Sequence, residues 1–344
     1  MGKQKLKRYG FRLGSEYFYP ASAVKLCAAV AAVRSLRSLG TKVTTPISLT
    51  TPMVFHVPSR LSVSKEALDT SNLRNGAITV AHEIRKLFLV SDNRAFNRLY
   101  EFVGQRSLNE QMWQCGMLSL RIRHRLYDAV PRLEVDERLT PALEFWNSDS
   151  DAVGLPPQRS TLDLDLEPGG RITVGSAFIS STGALVDEPL DFTNKNSSSL
   201  MDLQNLLVKI FYPNLLEGER LDLDEQDARF LMEAMAQYPS QSSNPKYPAK
   251  KYPDEYGKFF LPGLLRVRDK SALRIYNKLG RAYGFSIDNA YVTDIESGRS
   301  FFLSAVIYTN ANDVLNDDKY EYKIADAFLE NLAEVVSVEL WGKS

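Results

Sequence analysis

Cysteine and histidine are scarce in this sequence, which has two cysteines and three histidines among 344 residues. Two cysteines cannot build a framework of several disulfide bonds, and they lack the second pair of ligands that a structural zinc site needs. Cys27 lies in an apolar stretch that predicts a helix, so we interpret it as a small core residue. We therefore expect neither a metal nor a cofactor.

An excess of one charge and a long apolar run are also missing. Lys plus Arg and Asp plus Glu both number 42, so the formal net charge is zero. Proteins that bind nucleic acids usually carry a basic excess, so a nucleic-acid partner is not expected. No run approaches 18 consecutive apolar residues, which argues against a transmembrane helix. With 44% apolar residues, the chain has enough material for a sizeable core.

The N-terminus superficially resembles a signal peptide. Basic residues at positions 3 to 8 precede a short apolar run at 26–33, which contains the small residues Ala29-Val30-Ala31. The sequence "EYFYP" and a lysine, Lys25, lie directly before that run and are not typical of such peptides. We therefore identify no signal peptide in this chain.

The N-terminal half predicts one strand and several helices. Residues 5–19 alternate weakly and indicate a strand, and a central helix, apolar nearly all round, then runs from about 21 to 39. Residues 42–60 are rich in Pro and Thr and are expected to be irregular. Three further helices are predicted in the segments "ITVAHEIRKLFLVSDN", "RAFNRLYEFVG" and "SLNEQMWQCGM".

The second half changes character twice. Residues 121–196 alternate and contain PGG and STG turns, which predict hairpins. Two helices follow, "SSLMDLQNLLVKIF" and "DEQDARFLMEAMAQY", and then a Pro-, Tyr- and Lys-rich segment at 239–257. That segment is either a linker or a surface loop that closes over a site. The chain ends with three strand patterns, "RIYNKLGRAYGF", "NAYVTDI" and "SFFLSAVIYTN", and an amphipathic helix.

These elements predict an α+β fold in one catalytic module that comprises residues 1–344. Residues 1–41 and 271–344 are expected to form an α/β lobe, in which an antiparallel sheet is flanked by helices. Residues 42–270 are expected to form a mostly helical lobe, with a β-rich insert at 121–196. A functional site is predicted at the seam between the lobes.

A serine and a lysine stand three residues apart in the stretch "YFYPASAVKLCAAV". Ser22 and Lys25 share one face of the predicted helix. A serine hydroxyl is a poor nucleophile until a base takes its proton, and a desolvated lysine can be that base. The alternative is an ordinary helix start with an exposed lysine. Lys25 is followed by eight residues without charge, which favours the catalytic interpretation.

Two further short motifs follow Ser22 and Lys25 along the chain. "LVSDNRAFNRLYEFVG" contains Ser91-Asp92-Asn93, and "IYNKLGRAYGF" contains Lys278-Leu279-Gly280 where a strand is predicted to begin. Alone, the first is most often a turn after a helix and the second carries almost no information. Together, S-x-x-K, S-D-N and K-x-G resemble the three motifs of the class A β-lactamase and penicillin-binding-protein superfamily. The resemblance covers most of the chain, and the flanking residues are similar to those of β-lactamase-like bacterial serine hydrolases.

The resemblance implies a catalytic role for three residues. Ser22 would be the nucleophile that is acylated, and Lys25 would be the base that activates it. Ser91 would relay a proton to the nitrogen that leaves. Asp92 would be structural and hold the turn.

The resemblance also implies a set of binding residues. Asn93 would hold a substrate amide and Lys25, and Lys278 would attract the substrate carboxylate. Gly280 would let the substrate lie against the edge of the strand, because a side chain there would collide with it. The backbone N–H groups of Ser22 and Arg281 would form the oxyanion hole.

The sequence departs from the family pattern at several points. Leu279 replaces the usual Thr or Ser, whose hydroxyl helps to bind the substrate carboxylate. Glu188 is a weak match to the glutamate that activates the deacylating water, and its position favours a surface carboxylate in a hairpin instead. The second and third motifs are separated by an unusually long stretch of sequence, and residues 121–196 are interpreted as an insert that accounts for it. The chain also has little sequence ahead of Ser22, where the family has an export signal and one more strand.

Three functions remain open at this point. The first is a serine hydrolase that acts on β-lactams. The second is a D-alanyl-D-alanine peptidase, penicillin-binding protein or esterase of the same fold, favoured by Leu279 and by the weak glutamate candidate. The third is a binding or sensor module without catalysis. The family resemblance implies a β-lactam or peptidoglycan-derived substrate and a periplasmic or secreted location.

Overall fold

The computed structural model describes residues 6–14, 16–58, 63–127, 135–148, 151–164, 171–216 and 218–342. Its α-helices are α1 (Lys25–Gly40), α2 (Val80–Leu89), α3 (Asn93–Val103), α4 (Gln105–Gln114), α5 (Leu200–Phe211), α6 (Glu225–Ala236), α7 (Leu261–Leu264) and α8 (Tyr322–Trp341). Its strands are β1 (Pro52–Pro58), β2 (Val63–Glu66), β3 (Ile78–Thr79), β4 (Leu139–Thr140), β5 (Ala142–Ser148), β6 (Asp151–Leu155), β7 (Gln158–Arg159), β8 (Thr173–Val174), β9 (Ala177–Ile179), β10 (Leu185–Val186), β11 (Leu190–Asp191), β12 (Leu273–Asn277), β13 (Gly280–Ala282), β14 (Phe285–Asp294), β15 (Ser300–Tyr308) and β16 (Val314–Leu315).

The helices predicted from the sequence are confirmed. The side chain of Ser199 accepts a hydrogen bond from the N–H of Asp202 and so caps α5. A 3-10 turn, Ala21–Val24, precedes α1, and buried residues on every side of α1 make it the central helix of the larger core. Within the described residues, no helix combines the length and the apolar character needed to cross a bilayer.

Two predictions for the N-terminal region are wrong. Residues 6–14 and 16–20 contain no strand, and Tyr9 and Phe11 are largely exposed there instead of packing in a sheet. The Pro-rich region expected to be irregular contains β1, which pairs with β2, β3 and β5. Met53 and Phe55 alternate inward from β1 and are buried, and the two prolines stand at the ends of the strand, where they are tolerated.

The C-terminal sheet is antiparallel, as predicted. β14 lies at its centre and pairs with β15 along one edge, while β12 and β13 follow each other along the other edge. The side chains of β15 alternate between two cores: Phe301 and Ala305 face the apolar cluster that contains α8, and Phe302 packs on the cluster that contains α5. Helices therefore cover the sheet.

The region predicted as a β-rich insert contributes strands to different parts of the fold. β5 and β6 form a hairpin that extends the sheet of β1, and β9 pairs in parallel with β16 near the C-terminal helix. The STG turn is confirmed by a hydrogen bond from the N–H of Gly183 to the carbonyl of Ser180, whereas the PGG turn lies outside the described residues. The lobe boundaries stay a prediction. Helix α1, from the segment 1–41, packs on α3 and α4, which come from the segment 42–270.

Candidate active site

Ser22 stands on a strained turn at the start of the central helix. Ala21, directly before it, has a left-handed φ of 46°, a conformation that costs a non-glycine residue energy and is typical of functional sites. The N–H of Ala23 donates to the carbonyl of Pro20 at 2.9 Å and closes the turn. Ala21 and Ala23 are buried, whereas Ser22 between them is partly exposed. The turn therefore presents the Ser22 hydroxyl to solvent.

Lys25 is fully buried one turn further on, so the alternative of an exposed lysine is wrong. Its Nζ donates to the carbonyl oxygen of Ser91, to Asn93 Oδ1 at 2.6 Å and to Ser91 Oγ at 3.3 Å. Buried polar groups need such partners, because an unpaired one loses its solvation without compensation. The second motif therefore surrounds the lysine of the first.

The second motif forms the turn between α2 and α3. Ser91 has a left-handed φ of 57°. The carboxylate of Asp92 caps α3 by accepting a hydrogen bond from the N–H of Ala95 at 2.8 Å. This cap is the structural role that was expected for Asp92, and it places Ser91 and Asn93 on either side of the cap.

Lys278 approaches the same serine from the C-terminal sheet. Its Nζ donates to Ser91 Oγ at 2.9 Å and to the carbonyl of Leu279 at 2.9 Å, and its side chain is almost fully buried. Burial lowers the pKa of Lys278 to about 7, because the charged form loses its hydration. The Oγ of Ser91 is thus shared between Lys25 and Lys278.

Gly280 and Arg281 continue from Lys278 into β13. A Cβ on Gly280 would lie 2.4 Å from Pro20 O and 2.9 Å from Ala23 N. The structure thus gives a reason for glycine at this position that differs from the predicted one. The absence of a side chain allows β13 to pack against the Ser22 turn. The side chain of Arg281 is bound to Asp326 and Ser286, so only its backbone is available for an oxyanion hole.

Ser22 opens into a cavity of about 1030 Å³. Asn93 and Arg281 also line it, whereas Lys25, Ser91 and Lys278 are not among its lining residues. The other lining residues are Tyr19, Ala21 and members of the segments 124–127, 135–137, 179–181, 191–195, 281–283 and 316–322. No lining residue comes from 239–257, so the structure does not support the idea that this segment closes over the site.

The candidate for the deacylating base is not in the site. Glu188 is exposed and does not line the cavity. The carboxylates that line it in the described part of the chain are Glu137, Asp191 and Asp318. Glu137 is bound by Arg125 at 3.0 Å and by the hydroxyl of Tyr127 at 3.0 Å, and the other two are exposed.

Sequence reasoning missed a buried charge network beneath the second motif. Arg98 contacts Asp69 at 2.7 Å and Glu83 at 3.0 Å, and Lys86 contacts Asp69 at 2.6 Å. Lys86 also lies 3.7 Å from Asp92, so the network reaches the turn that holds Ser91. The spacing of Glu83 and Lys86 on one helix face was a detectable signal, but nothing in the sequence pairs Arg98 with Asp69.

Another buried lysine supports the strand that leads to Lys278, and it was also missed. Lys258 Nζ donates to the carbonyls of Met235 and Ile275 and to Asn277 Oδ1 at 2.9 Å. Burial lowers the pKa of Lys258 to about 7 and raises that of Asp288, whose carboxylate accepts from Asn277. Asn277 therefore connects this lysine to the centre of the sheet.

Comparison with known proteins agrees with this geometry. Residues 10–163 match the model of the Beta-lactamase2 family, described as the beta-lactamase enzyme family. No curated protein sequence matches the chain. The match covers the first two motifs, and the third lies outside it.

Solved structures show the same fold along nearly the whole chain. The β-lactamase from Sphaerobacter thermophilus has a TM-score of 0.51 at 14% identity and covers 96% of this chain and 87% of its own. The β-lactamase from Francisella tularensis has a TM-score of 0.51 at 12% identity, with 95% and 89% covered. That from Streptosporangium roseum has a TM-score of 0.50 at 16% identity, with 96% and 87% covered. These structures confirm the α+β fold, and the family match over residues 10–163 supports the resemblance to the β-lactamase and penicillin-binding-protein superfamily.

Proposed function

We propose that this chain, which has the fold of the β-lactamase and penicillin-binding-protein superfamily, is a serine hydrolase that forms an acyl-enzyme on Ser22. Its proposed substrates are β-lactams, whose cyclic amide it opens. The observation that carries the proposal is the placement of Ser91 Oγ between Lys25 at 3.3 Å and Lys278 at 2.9 Å, with Lys25 three residues after Ser22. This arrangement supports the assignment of Lys25 as the base and of Ser91 as the proton relay.

The proposed acylation uses these groups in turn. Lys25, in its neutral form, takes the proton of Ser22 Oγ while that oxygen attacks the carbonyl carbon of the amide. The C–N bond then breaks, and the nitrogen takes the proton of Ser91 Oγ. Ser91 regains a proton from one of the two lysines that contact it. Because Lys278 has a pKa of about 7, its proton is available near neutral pH.

Backbone groups are proposed to stabilise the charge that develops on the carbonyl oxygen. The N–H of Ser22 belongs to the strained turn, and that of Arg281 belongs to β13, which packs on this turn through Gly280. Donors that are fixed before the reaction need no reorganisation and give a large share of catalysis in acyl transfer. Asn93 lines the cavity and is the proposed partner of the substrate amide.

A second candidate function is favoured by the carboxylates of the cavity. The one carboxylate there that is not exposed, among the described residues, is Glu137, and it is committed to Arg125 and Tyr127. If neither of the exposed carboxylates, Asp191 and Asp318, activates water, the acyl-enzyme would hydrolyse slowly. The protein would then act as a D-alanyl-D-alanine peptidase, a penicillin-binding protein or an esterase, on peptidoglycan-derived substrates in the periplasm or outside the cell.

Intact-protein mass spectrometry after addition of a penicillin tests both candidates. The wild type is followed over time beside Ser22→Ala, which lacks the proposed nucleophile and is expected to keep the fold because Ser22 is partly exposed. A transient adduct with consumption of the drug is the result expected for a β-lactamase, and a stable adduct is the result expected for the second candidate.

The same experiment contains the results that contradict the proposal. An adduct that persists in Ser22→Ala would mean that another residue is the nucleophile. If neither a penicillin nor an ester-type serine probe labels the wild type, the chain is a binding or sensor module.

A further inference from the structure

The cavity has a shortage of free positive charge, although β-lactams and peptidoglycan peptides carry a carboxylate. Lys278, the residue expected to attract it, is buried and bound to Ser91 and to its own chain. Leu279 has no hydroxyl that could assist. The cations that line the cavity in the described part of the chain are Arg125, Lys195 and Arg281.

Two of these three cations are already neutralised. Arg125 is paired with Glu101 at 2.9 Å and with Glu137 at 3.0 Å. Arg281 is paired with Asp326, and its guanidinium stacks between the rings of Phe259 and Tyr322. Neither can turn to a ligand without breaking its ion pair, which would leave a carboxylate unpaired.

Lys195 differs from both of them. Its Nζ donates to the hydroxyl of Tyr283 at 3.3 Å and lies 5.3 Å from the centre of the same ring. No carboxylate in the described ranges forms an ion pair with it, and the side chain is partly exposed to the cavity. A lysine ammonium has three donors, so Lys195 retains donors for a ligand.

The backbone of Lys195 is held on both sides. Its N–H donates to the carbonyl of Phe192 at 2.9 Å, and Phe192 is buried in an aromatic cluster. The next residue, Asn196, is fully buried and accepts from the N–H groups of Arg123 at 2.7 Å and His124 at 3.1 Å. A cation on such a fixed segment loses less conformational freedom when a ligand binds.

Tyr283 contacts both Lys195 and Tyr19, which precedes the turn of Ser22. Its ring packs edge-on against Tyr19 at 5.3 Å and against Phe192 at 5.2 Å. Tyr19 lies three residues before Ser22, and its ring is buried beside the strained turn. The aromatic contacts thus hold Lys195 in the wall of the cavity into which Ser22 opens.

We propose that Lys195 binds the carboxylate of the substrate and makes the site selective for anionic substrates. The inference rests on the proposed function, because it assigns the substrate class of the same cavity. It leaves Lys278 to the proton relay and gives the insert at 121–196 a role as the part that determines specificity. A charge-assisted hydrogen bond from a partly buried ammonium to a carboxylate is worth tenfold or more in affinity, by the usual strength of about 1.5–3 kcal/mol for such bonds.

The test measures non-covalent binding in the Ser22→Ala background, so it does not depend on acylation. Benzylpenicillin and its methyl ester are titrated into Ser22→Ala alone and into the same chain with Lys195→Gln, Lys195→Arg or Lys250→Gln. The last is the matched control, because Lys250 is exposed and does not line the cavity. Lys195→Gln is expected to raise the Kd of the acid about tenfold or more and to change that of the ester less than twofold.

The remaining variants and probes separate the possible results. Lys195→Arg should restore most of the affinity for the acid, and Lys250→Gln should change neither ligand. Equal losses for acid and ester, no loss for either, or no measurable binding of the acid would each overturn the role of Lys195. Labelling of Ser22 in the wild type by a fluorophosphonate that carries no carboxylate tests the proposed function separately, since that probe does not need Lys195.

Discussion

Gly280 lies against the carbonyl of Pro20 so closely that a Cβ on the glycine would come within 2.4 Å of that oxygen. The two residues belong to distant parts of the chain, the last motif and the turn that presents Ser22. Their contact brings β13 to the nucleophile and so places the backbone of Arg281 beside it. The distance between them is a property of the backbone, so side-chain rotation cannot relieve a clash there.

Gly280→Ala is therefore expected to destabilise the protein and to disturb the site. The added methyl group must push apart the strand and the turn, and overpacking of this kind costs about 1–3 kcal/mol. The rate of Ser22 acylation should fall together with the free energy of unfolding, both of which can be measured on one sample. Gly154→Ala is the control, since nothing lies within 4 Å of a Cβ at that position. An unchanged acylation rate in Gly280→Ala would contradict the proposed oxyanion hole.

Ser91 can be tested by a pair of substitutions that both remove its hydroxyl. Ser91→Gly and Ser91→Ala should each reduce acylation about a hundredfold or more, the usual contribution of a proton-transfer group. The left-handed φ of 57° favours glycine, so Ser91→Gly should be more stable than Ser91→Ala by about 1 kcal/mol. Stopped-flow acylation and chemical denaturation check the two parts. Acylation at the wild-type rate in both variants would show that Ser91 is not a relay.

Arg98 is expected to be among the residues to which stability is most sensitive. Arg98→Met leaves Asp69 and Glu83 with one cation fewer in a buried network, and breaking such a network costs about 3–5 kcal/mol. The matched control is Arg106→Met, which removes an exposed pair with Glu110 and should cost less than about 1 kcal/mol. Denaturant unfolding measures both, and equal losses would mean that the buried network contributes no more than a surface pair.

The buried lysines predict a particular dependence of stability on pH. The pKa of Lys258 is about 7 in the folded protein and about 10.4 in the unfolded chain, so between these values the unfolded chain binds more protons. Stability should therefore rise with pH in this window, by up to about 1.4 kcal/mol per pH unit for one group. Below pH 7 the cost of the buried charge is complete, and it is lost as the pH approaches 10.4.

Lys258→Met is the variant that isolates this effect. It removes the titrating group and should be less stable at neutral pH, because three buried oxygens lose their donor. The free energy of unfolding, measured from pH 7 to 10, should rise less steeply for the variant than for the wild type. Parallel curves would show that Lys258 does not titrate in this range.

Local patterns in the sequence were sufficient to predict the helices and the three motifs. A helix depends on residues within one or two turns, so the apolar period of α5 and the cap at Ser199 could be recognised directly. The burial of Lys25 followed from the uncharged residues after it, since a helix that is apolar all round has no face for an exposed charge. The α+β fold followed from the order of these elements and from the resemblance.

Contacts between distant segments were decided only by the tertiary structure. β1 forms because β2, β3 and β5 pair with it, and the Pro-rich composition of its neighbourhood conceals this. The opening segment alternates but finds no strand to pair with in the described residues, so its pattern alone does not make a strand. Glu188 had a plausible position in the chain but lies on the exposed surface.

The sequence by itself thus determined which groups are available: a serine on a helix start, a buried lysine, a serine in a turn and a lysine before a strand. The tertiary structure decided how they meet, with Ser91 between two lysines and Lys195 facing the cavity without an acidic partner among the described residues. The physical reason is the separation along the chain over which each interaction acts. Helix period and capping act between near neighbours, whereas ion pairing, close approach of backbones and exposure depend on which distant surfaces the fold brings together.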